Sequence, residues 1–196
     1  MSRPAVFLDR DGTMIEDVGY LRRLADLRWF PWAIGAVRSL NRAGFLVCVT
    51  TNQGGIGLGL MDDAFVSAAH EQMSEDLRAG DADVDGWFVC PHHPRSPVEA
   101  LRIDCDCRKP KAGLILQARQ RFDIDLSRSF AVGDSARDIG MAAAAGARGV
   151  LVRTGDGDNE LARHGSLAEE AAHVADHLAG AVAWVLREAA QSKGNS

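Results

Sequence analysis

Two hydrophobic periods alternate along this chain. Short, almost wholly apolar runs predict buried strands: AVFLD (5–9), FLVCVTT (45–51), VDGWFVC (84–90), SFAVGD (129–134) and ARGVLVRT (147–154). Between them, apolar residues recur every three or four positions, which predicts amphipathic helices over 33–44, 61–80, 113–122 and 136–146. Gly44 is placed to end the first helix, and in the second Phe65, Ala69, Met73 and Leu77 share one face. Strands and helices in alternation predict an α/β fold with a parallel sheet covered by helices. The tail, 166–190, reads as helix, with HVADHL (173–178) as an alternative short edge strand. One stretch breaks the rhythm: residues 90–111 have no period and hold three of the four cysteines. No repeat, low-complexity tract or linker divides the chain, so residues 1–196 are expected to form a single domain.

Composition narrows the possible partners. A chain of 196 residues, 46% hydrophobic and 25% charged, suits one soluble domain with a full core. A net charge of -5 argues against nucleic acid as a partner, and the apolar runs are too short to span a membrane. The opening MSRPAVFLDRDG lacks a charged-then-apolar export signal, so a cytoplasmic protein is expected; it is also expected to be a monomer. Cysteines in that compartment serve as metal ligands or free thiols.

Sites in parallel sheets lie at the carboxyl ends of the strands. The first strand ends in Asp9, Arg10, Asp11, Gly12, and the fourth in Asp134, with Asp138 one turn on. The second ends in Thr50, Thr51, Asn52 and Gln53, followed by GGIGLG. Any one of these acids reads equally well as a turn or capping residue. Three strand ends of this kind on one sheet edge suit phosphoryl transfer to a carboxylate. An aspartate can be the nucleophile, magnesium can neutralise the approach of two anions, and a lysine and a hydroxyl can hold the remaining oxygens. A second acid must protonate the leaving oxygen and later activate water.

DRDGT (9–13), Thr51, Lys109 and GDSARD (133–138) resemble, in order and spacing, the four motifs of the haloacid-dehalogenase-like phosphatases. The resemblance covers roughly residues 5–154 and implies a Rossmann-like three-layer sandwich without a large cap. It implies Asp9 as nucleophile and magnesium ligand. Asp11 becomes the general acid/base, lending its main-chain carbonyl to magnesium, and Asp134 the third protein ligand. Thr51 and Lys109 would stabilise the transferring phosphoryl group, and Asp138 would hold the site from behind. Members that catalyse dehalogenation lack an acid at position 11, so Asp11 implies phosphatase or phosphomutase chemistry.

The aperiodic stretch reads Cys90-x-His92, then twelve residues, then Cys105-x-Cys107. Three thiolates and one imidazole suit a closed, four-coordinate structural zinc site, and zinc would order a loop (90–107) that has no core of its own. Spacing alone does not choose between His92 and His93; the resemblance chooses His92. Cys48, inside the second strand, reads as a core residue. Asp104 and Asp106 are expected to be solvated, or else paired with Arg102 or Arg108, and Lys111 reads as a general attraction for anions.

The zinc loop and the phrases DVGY (17–20), TNQGGIG and CDCRKP resemble the D-glycero-D-manno-heptose 1,7-bisphosphate phosphatases, which remove the 7-phosphate on the way to nucleotide-activated heptose. That match implies a small sugar bisphosphate as substrate, bound by Asp17, Val18, Gly19, Tyr20, Thr51, Asn52, Gln53, Gly54, Arg108 and Lys109. Gly54 departs from the serine usual there, which bears on anomer preference. Histidinol-phosphate phosphatases share the motifs and are the runner-up, but their zinc loop is usually shorter. Two other classes stand further off. One is a receiver-type phosphoacceptor, which has no need of Asp11; the other is a zinc-organised binding module with vestigial motifs.

Overall fold

The computed structural model describes residues 2–194, with side chains through residue 191. In chain order the elements are β1 (Ala5–Leu8), α1 (Ala33–Arg42), β2 (Leu46–Asn52), α2 (Gly54–Gly57), α3 (Asp63–Ala79), β3 (Gly86–Cys90), α4 (Gly113–Arg121), β4 (Phe130–Gly133), α5 (Ala136–Ala145), β5 (Arg148–Val152), α6 (Gly157–Arg163), α7 (Leu167–Glu170), β6 (His173–Ala175) and α8 (Leu178–Gly194). Five strands and four helices fall where the periodicity places them, with no end moved by more than two residues. The strands form one parallel sheet in the order β3-β2-β1-β4-β5-β6.

Strand parity builds the three layers. Val6, Leu8, Val47, Val49, Phe130, Val132, Val150 and Val152 face a core shared with α1, α3 and α8. Ala5, Phe7, Leu46, Cys48 and Ala131 face the opposite way, onto α4 and α5. Because β1 is covered on both faces, Val6, Phe7 and Leu8 are fully buried, and each large apolar side chain so placed stabilises the fold by about 1.5–3 kcal/mol. Cys48 is a core residue and its thiol is free.

Local chemistry sets the ends of the elements. Gly44 adopts φ 85° just beyond the cap of α1, a left-handed position that suits glycine. Asp62 caps α3 by accepting the Phe65 N–H at 2.8 Å. The tail holds the edge strand that HVADHL allowed, between α7 and α8, and pairs Val150 with His173. α6 carries too short an apolar pattern to be foreseen. No separate cap domain is present among the described residues, and no helix among them is long and apolar enough to cross a membrane.

Candidate active site

The chain runs outward from β1 through β2 to β3, then returns to place β4 on the other side of β1. That reversal leaves a crevice between β1 and β4 at the carboxyl edge, where ligands settle in sheets of this kind. Asp9 follows β1 and Asp134 follows β4, so both carboxylates stand at this crevice. The Asp9 N–H donates to the Val132 carbonyl at 2.9 Å, tying the two strand ends together.

Lys109 reaches the crevice from the loop before α4. Its ammonium lies 2.9 Å from Asp9 Oδ1, 2.6 Å from Asp138 Oδ1 and 3.0 Å from the Thr50 carbonyl. Asn52 clamps the Lys109 main chain, with Oδ1 accepting its N–H at 3.0 Å and Nδ2 donating to its carbonyl at 3.3 Å. The other oxygen of Asp138 accepts the Ser135 hydroxyl at 2.6 Å and the Ser135 N–H at 3.2 Å, capping α5. Both Asp138 oxygens therefore have partners, and its side chain is 1% exposed.

Asp134 is held by its neighbours on both sides. Its Oδ2 accepts the Asp156 N–H at 2.9 Å. Gly12 and Gly155 sit against the same oxygen, both at positive φ, and a Cβ on either would collide with it. Thr154 donates to the Gly12 carbonyl at 2.7 Å, so the loops after β1, β4 and β5 form one wall. The sequence signal for this wall is the run Thr154, Gly155, Asp156 just after a strand, the pattern already noted after β1 and β4.

Asp11 stands beside Asp9. Its carboxylate accepts a fork from Arg10, Nε to Oδ2 at 3.1 Å and Nη2 to Oδ1 at 3.0 Å. Gln53 Nε2 donates to Asp11 Oδ2 at 2.9 Å and to Thr51 Oγ1 at 2.8 Å.

The electrostatics leave the crevice short of positive charge. Oxygens of Asp9, Asp134 and Asp138 lie within 4.8 Å of one another. Burial pushes Asp9 up to about 7; the charge of Lys109 opposes this and Asp138 adds to it. Burial, then the charges of Asp9 and Asp138, push Asp134 up to about 8. Burial works against the Lys109 ammonium, but Asp138 and Asp9 more than offset it and hold it above the usual lysine range. One ammonium among three buried carboxylates leaves negative charge uncompensated, and an oxygen-liganded divalent cation would correct that.

The cavity above the crevice has a volume of about 530 Å³, the scale of a small metabolite. Of the sugar-site residues expected from the sequence, Asp17, Gly19, Tyr20, Thr51, Asn52, Gly54, Arg108 and Lys109 line it; Val18 and Gln53 do not. Val18 is 46% exposed, and Gln53 is buried with its amide on Asp11 and Thr51. Glu16, Phe30, Ser135, Arg137, Gly155 and Asp156 also line it and were not singled out, and so does His93, which was considered only as an alternative zinc ligand. Phe30 and His93 sit on long irregular connections, where no periodicity marks them.

The second cluster lies beside the cavity. Cys90, His92, Cys105 and Cys107 present ligand atoms within 4.8 Å of one another. His92 does so through Nδ1, 3.2 Å from Cys107 Sγ and 3.7 Å from Cys90 Sγ. His93 turns away and packs against Gly54 and Gly57. Burial raises the thiols of Cys90 and Cys107 above the usual range, so their use as thiolates would need a metal to displace the protons. Cys105 and Cys107 pack on the α4/α5 core, and Gly113 donates to the Asp106 carbonyl at 3.0 Å as α4 begins. Arg108 follows directly and donates to the His92 carbonyl at 2.8 Å. Asp104 and Asp106 are solvated as expected, but their cationic partner is Lys111, at 2.7 and 3.8 Å, rather than Arg102 or Arg108. Lys111 lies three residues beyond Arg108, whose side chain instead turns back to His92, so Lys111 is the cation facing the two acids.

Comparison with known proteins places the chain in a family. The HAD-hydrolase-like family matches residues 106–181. The chain is 44% identical over 155 residues to the D-glycero-beta-D-manno-heptose-1,7-bisphosphate 7-phosphatase of Escherichia coli strain K12, covering 79% of this chain and 81% of that one. It is 41% identical over 190 residues to the D-glycero-D-manno-heptose-1,7-bisphosphate 7-phosphatase of Thermosynechococcus vestitus, covering 94% and 96%. The crystal structure of D,D-heptose 1,7-bisphosphate phosphatase from B. bronchiseptica, complexed with magnesium and phosphate, superposes with a TM-score of 0.85 at 35% identity, covering 94% of this chain and 99% of that one. With its crevice at the sheet's turning point and relatives this similar along most of its length, the chain belongs to the haloacid-dehalogenase-like phosphatases, in the heptose-1,7-bisphosphate 7-phosphatase family.

Proposed function

We propose that this protein is a magnesium-dependent phosphatase that removes the 7-phosphate of D-glycero-D-manno-heptose 1,7-bisphosphate, in the biosynthesis of nucleotide-activated heptose. The observation that carries the reading is the convergence of Asp9, Asp134 and Lys109 at the crevice, with Asp11 alongside. The names of the relatives supply the substrate.

Magnesium would be held by the carboxylates of Asp9 and Asp134 and the main-chain carbonyl of Asp11. The donor set fits: all oxygens, with two carboxylates that burial leaves short of positive charge. When bound, the ion supplies charge neutralisation for the incoming phosphate. Six carboxylates and three fixed cations line the cavity, so a phosphate dianion needs that help to enter.

Asp9 attacks phosphorus, and the bond to the sugar oxygen breaks as Asp11 gives that oxygen a proton. An aspartyl phosphate forms on Asp9. Asp11, now a carboxylate, takes a proton from the water that attacks phosphorus next, releasing phosphate and restoring Asp9. Lys109 and the Thr51 hydroxyl stabilise the oxygens that gain charge in both steps. Asp138 keeps the lysine aimed.

Arg108 is a planar cation on the cavity wall, suited to the phosphate that stays behind. Asp17, bonded to the Gly19 N–H at 2.7 Å, presents an acceptor to sugar hydroxyls. A closed zinc site at Cys90, His92, Cys105 and Cys107 would fix the segment that carries Arg108. Four cysteines with no disulfide among them suit a reducing compartment, and we place the enzyme in the cytoplasm.

The test is turnover of both anomers of heptose 1,7-bisphosphate and of histidinol phosphate, with magnesium and after its removal. Fast release of the 7-phosphate that depends on magnesium is expected. A preference for histidinol phosphate would move the reading to the runner-up.

A further inference from the structure

Beneath Asp11 lies a buried assembly that the steps above do not use. Arg10 points away from the cavity into the packing between the sheet and α3, and is 1% exposed. Two of its nitrogens fork onto Asp11, and the third, Nη1, lies 3.2 Å from Nε2 of His70 on α3. His70 is 6% exposed. Burial and the charge of Arg10 push His70 down to about 3, so its ring is neutral near pH 7 and Nε2 can accept from the guanidinium.

The histidine is itself fixed. Its ring stacks on Trp87 of β3, with centroids 4.3 Å apart and planes 14° apart. The Trp87 indole N–H donates to Ser74 Oγ at 3.1 Å, and Ser74 Oγ donates to the His70 carbonyl at 2.8 Å. Indole, imidazole and guanidinium thus form a chain that ends on one carboxylate. A planar guanidinium held at all three nitrogens cannot turn without breaking a buried contact and leaving a buried polar group unpaired.

We propose that His70 is a positioning residue for Asp11, acting through the Arg10 guanidinium. The proposal deepens the reading of Asp11 as general acid and base and rests on it. A proton donor must be held within about 0.5 Å of its productive place, and Asp11 sits in a loop tied only by an isolated bridge to Ile15. The α3 helix supplies the rigid reference that the loop lacks. Nothing in the local sequence of DRDGT marks His70, because the contact joins residues sixty positions apart.

The experiment compares His70→Asn with His70→Gln on two esters. Asparagine is too short to reach Arg10, whereas the glutamine amide oxygen can take the place of Nε2. Heptose 1,7-bisphosphate has an alkoxide leaving group that needs a proton; p-nitrophenyl phosphate has one that does not. The readout is kcat/KM, which reports the steps through departure of the leaving group. Wild-type turnover of the esters tests the phosphatase reading first, and its failure on both would overturn both proposals. With wild type active, His70→Asn is expected to lose about tenfold or more on the sugar ester and less than about threefold on p-nitrophenyl phosphate, with His70→Gln within about threefold of wild type on each. Equal losses on the two esters, or no difference between the two variants, would overturn the role of His70 and leave the phosphatase reading standing.

Discussion

The ammonium of Lys109 lies 2.6 Å from Asp138, closer than its 2.9 Å contact with the Asp9 carboxylate that it faces across the crevice. Asp138 carries no free oxygen, so it can anchor the lysine while the bond to Asp9 stays open to exchange with phosphate. Removing the lysine would leave three buried carboxylates facing one another. Lys109→Ala is expected to lower kcat at least about 100-fold and to destabilise the metal-free protein by about 3–5 kcal/mol. Magnesium should return part of the stability and none of the rate. Denaturant melts with and without magnesium, beside initial rates, check this; an unchanged kcat would remove Lys109 from the mechanism.

Asp9→Asn should abolish turnover and leave the fold intact. It should also change the response to pH. The native carboxyl, pushed up to about 7 by burial, disfavours the charged form, whereas the unfolded chain ionises near 3.8. Between those values the folded state holds the extra proton, so this group lowers metal-free stability as pH rises through the window. The asparagine variant lacks that loss and should be more stable than wild type by about 2 kcal/mol at pH 8, with the gap closing toward pH 4. Urea melts in a chelator across that range would show it, and a gap that widened as pH fell would reverse the sign assigned to Asp9.

Gly155→Ala tests the wall behind Asp134. The new Cβ would collide with Asp134 Oδ2 at a residue with φ 61°, so the carboxylate must shift. Magnesium affinity should fall about tenfold or more, while the separate Cys/His cluster keeps its metal. Titration calorimetry with magnesium and metal analysis of the same sample separate the two effects.

Zinc removal should affect Arg108 before Lys109. Lys109 has anchors of its own in Asn52, Thr50 and Asp138, whereas Arg108 leans on the carbonyl of His92. Purified protein should hold close to one zinc per chain. Cys105→Ser, or mild chelation, is expected to raise KM several-fold with a smaller fall in kcat, ahead of any loss of secondary structure. A fully active, zinc-free protein would rule the site out.

Sequence patterning determined the layers and the site's three acidic anchors, and the motif resemblance added Lys109. Wholly apolar runs have to be buried on both faces, and acids placed just after such runs must emerge at one sheet edge, so Asp9, Asp11 and Asp134 were legible along with the Cys/His cluster. The tertiary structure decided what surrounds them. Asn52 and Gln53 lie in a motif expected to bind sugar, yet their amides close on Lys109, Thr51 and Asp11. Asp104 and Asp106 turned to Lys111, and Gly155 closed on Asp134. His70 reached Arg10 from sixty residues away, and the edge strand β6 won over a longer tail helix by pairing with β5. Hydrophobic period acts on neighbours along the chain and can be read there. Hydrogen-bond partners are chosen among whatever the folded layers bring within about 3 Å, and only the packed chain determines that set.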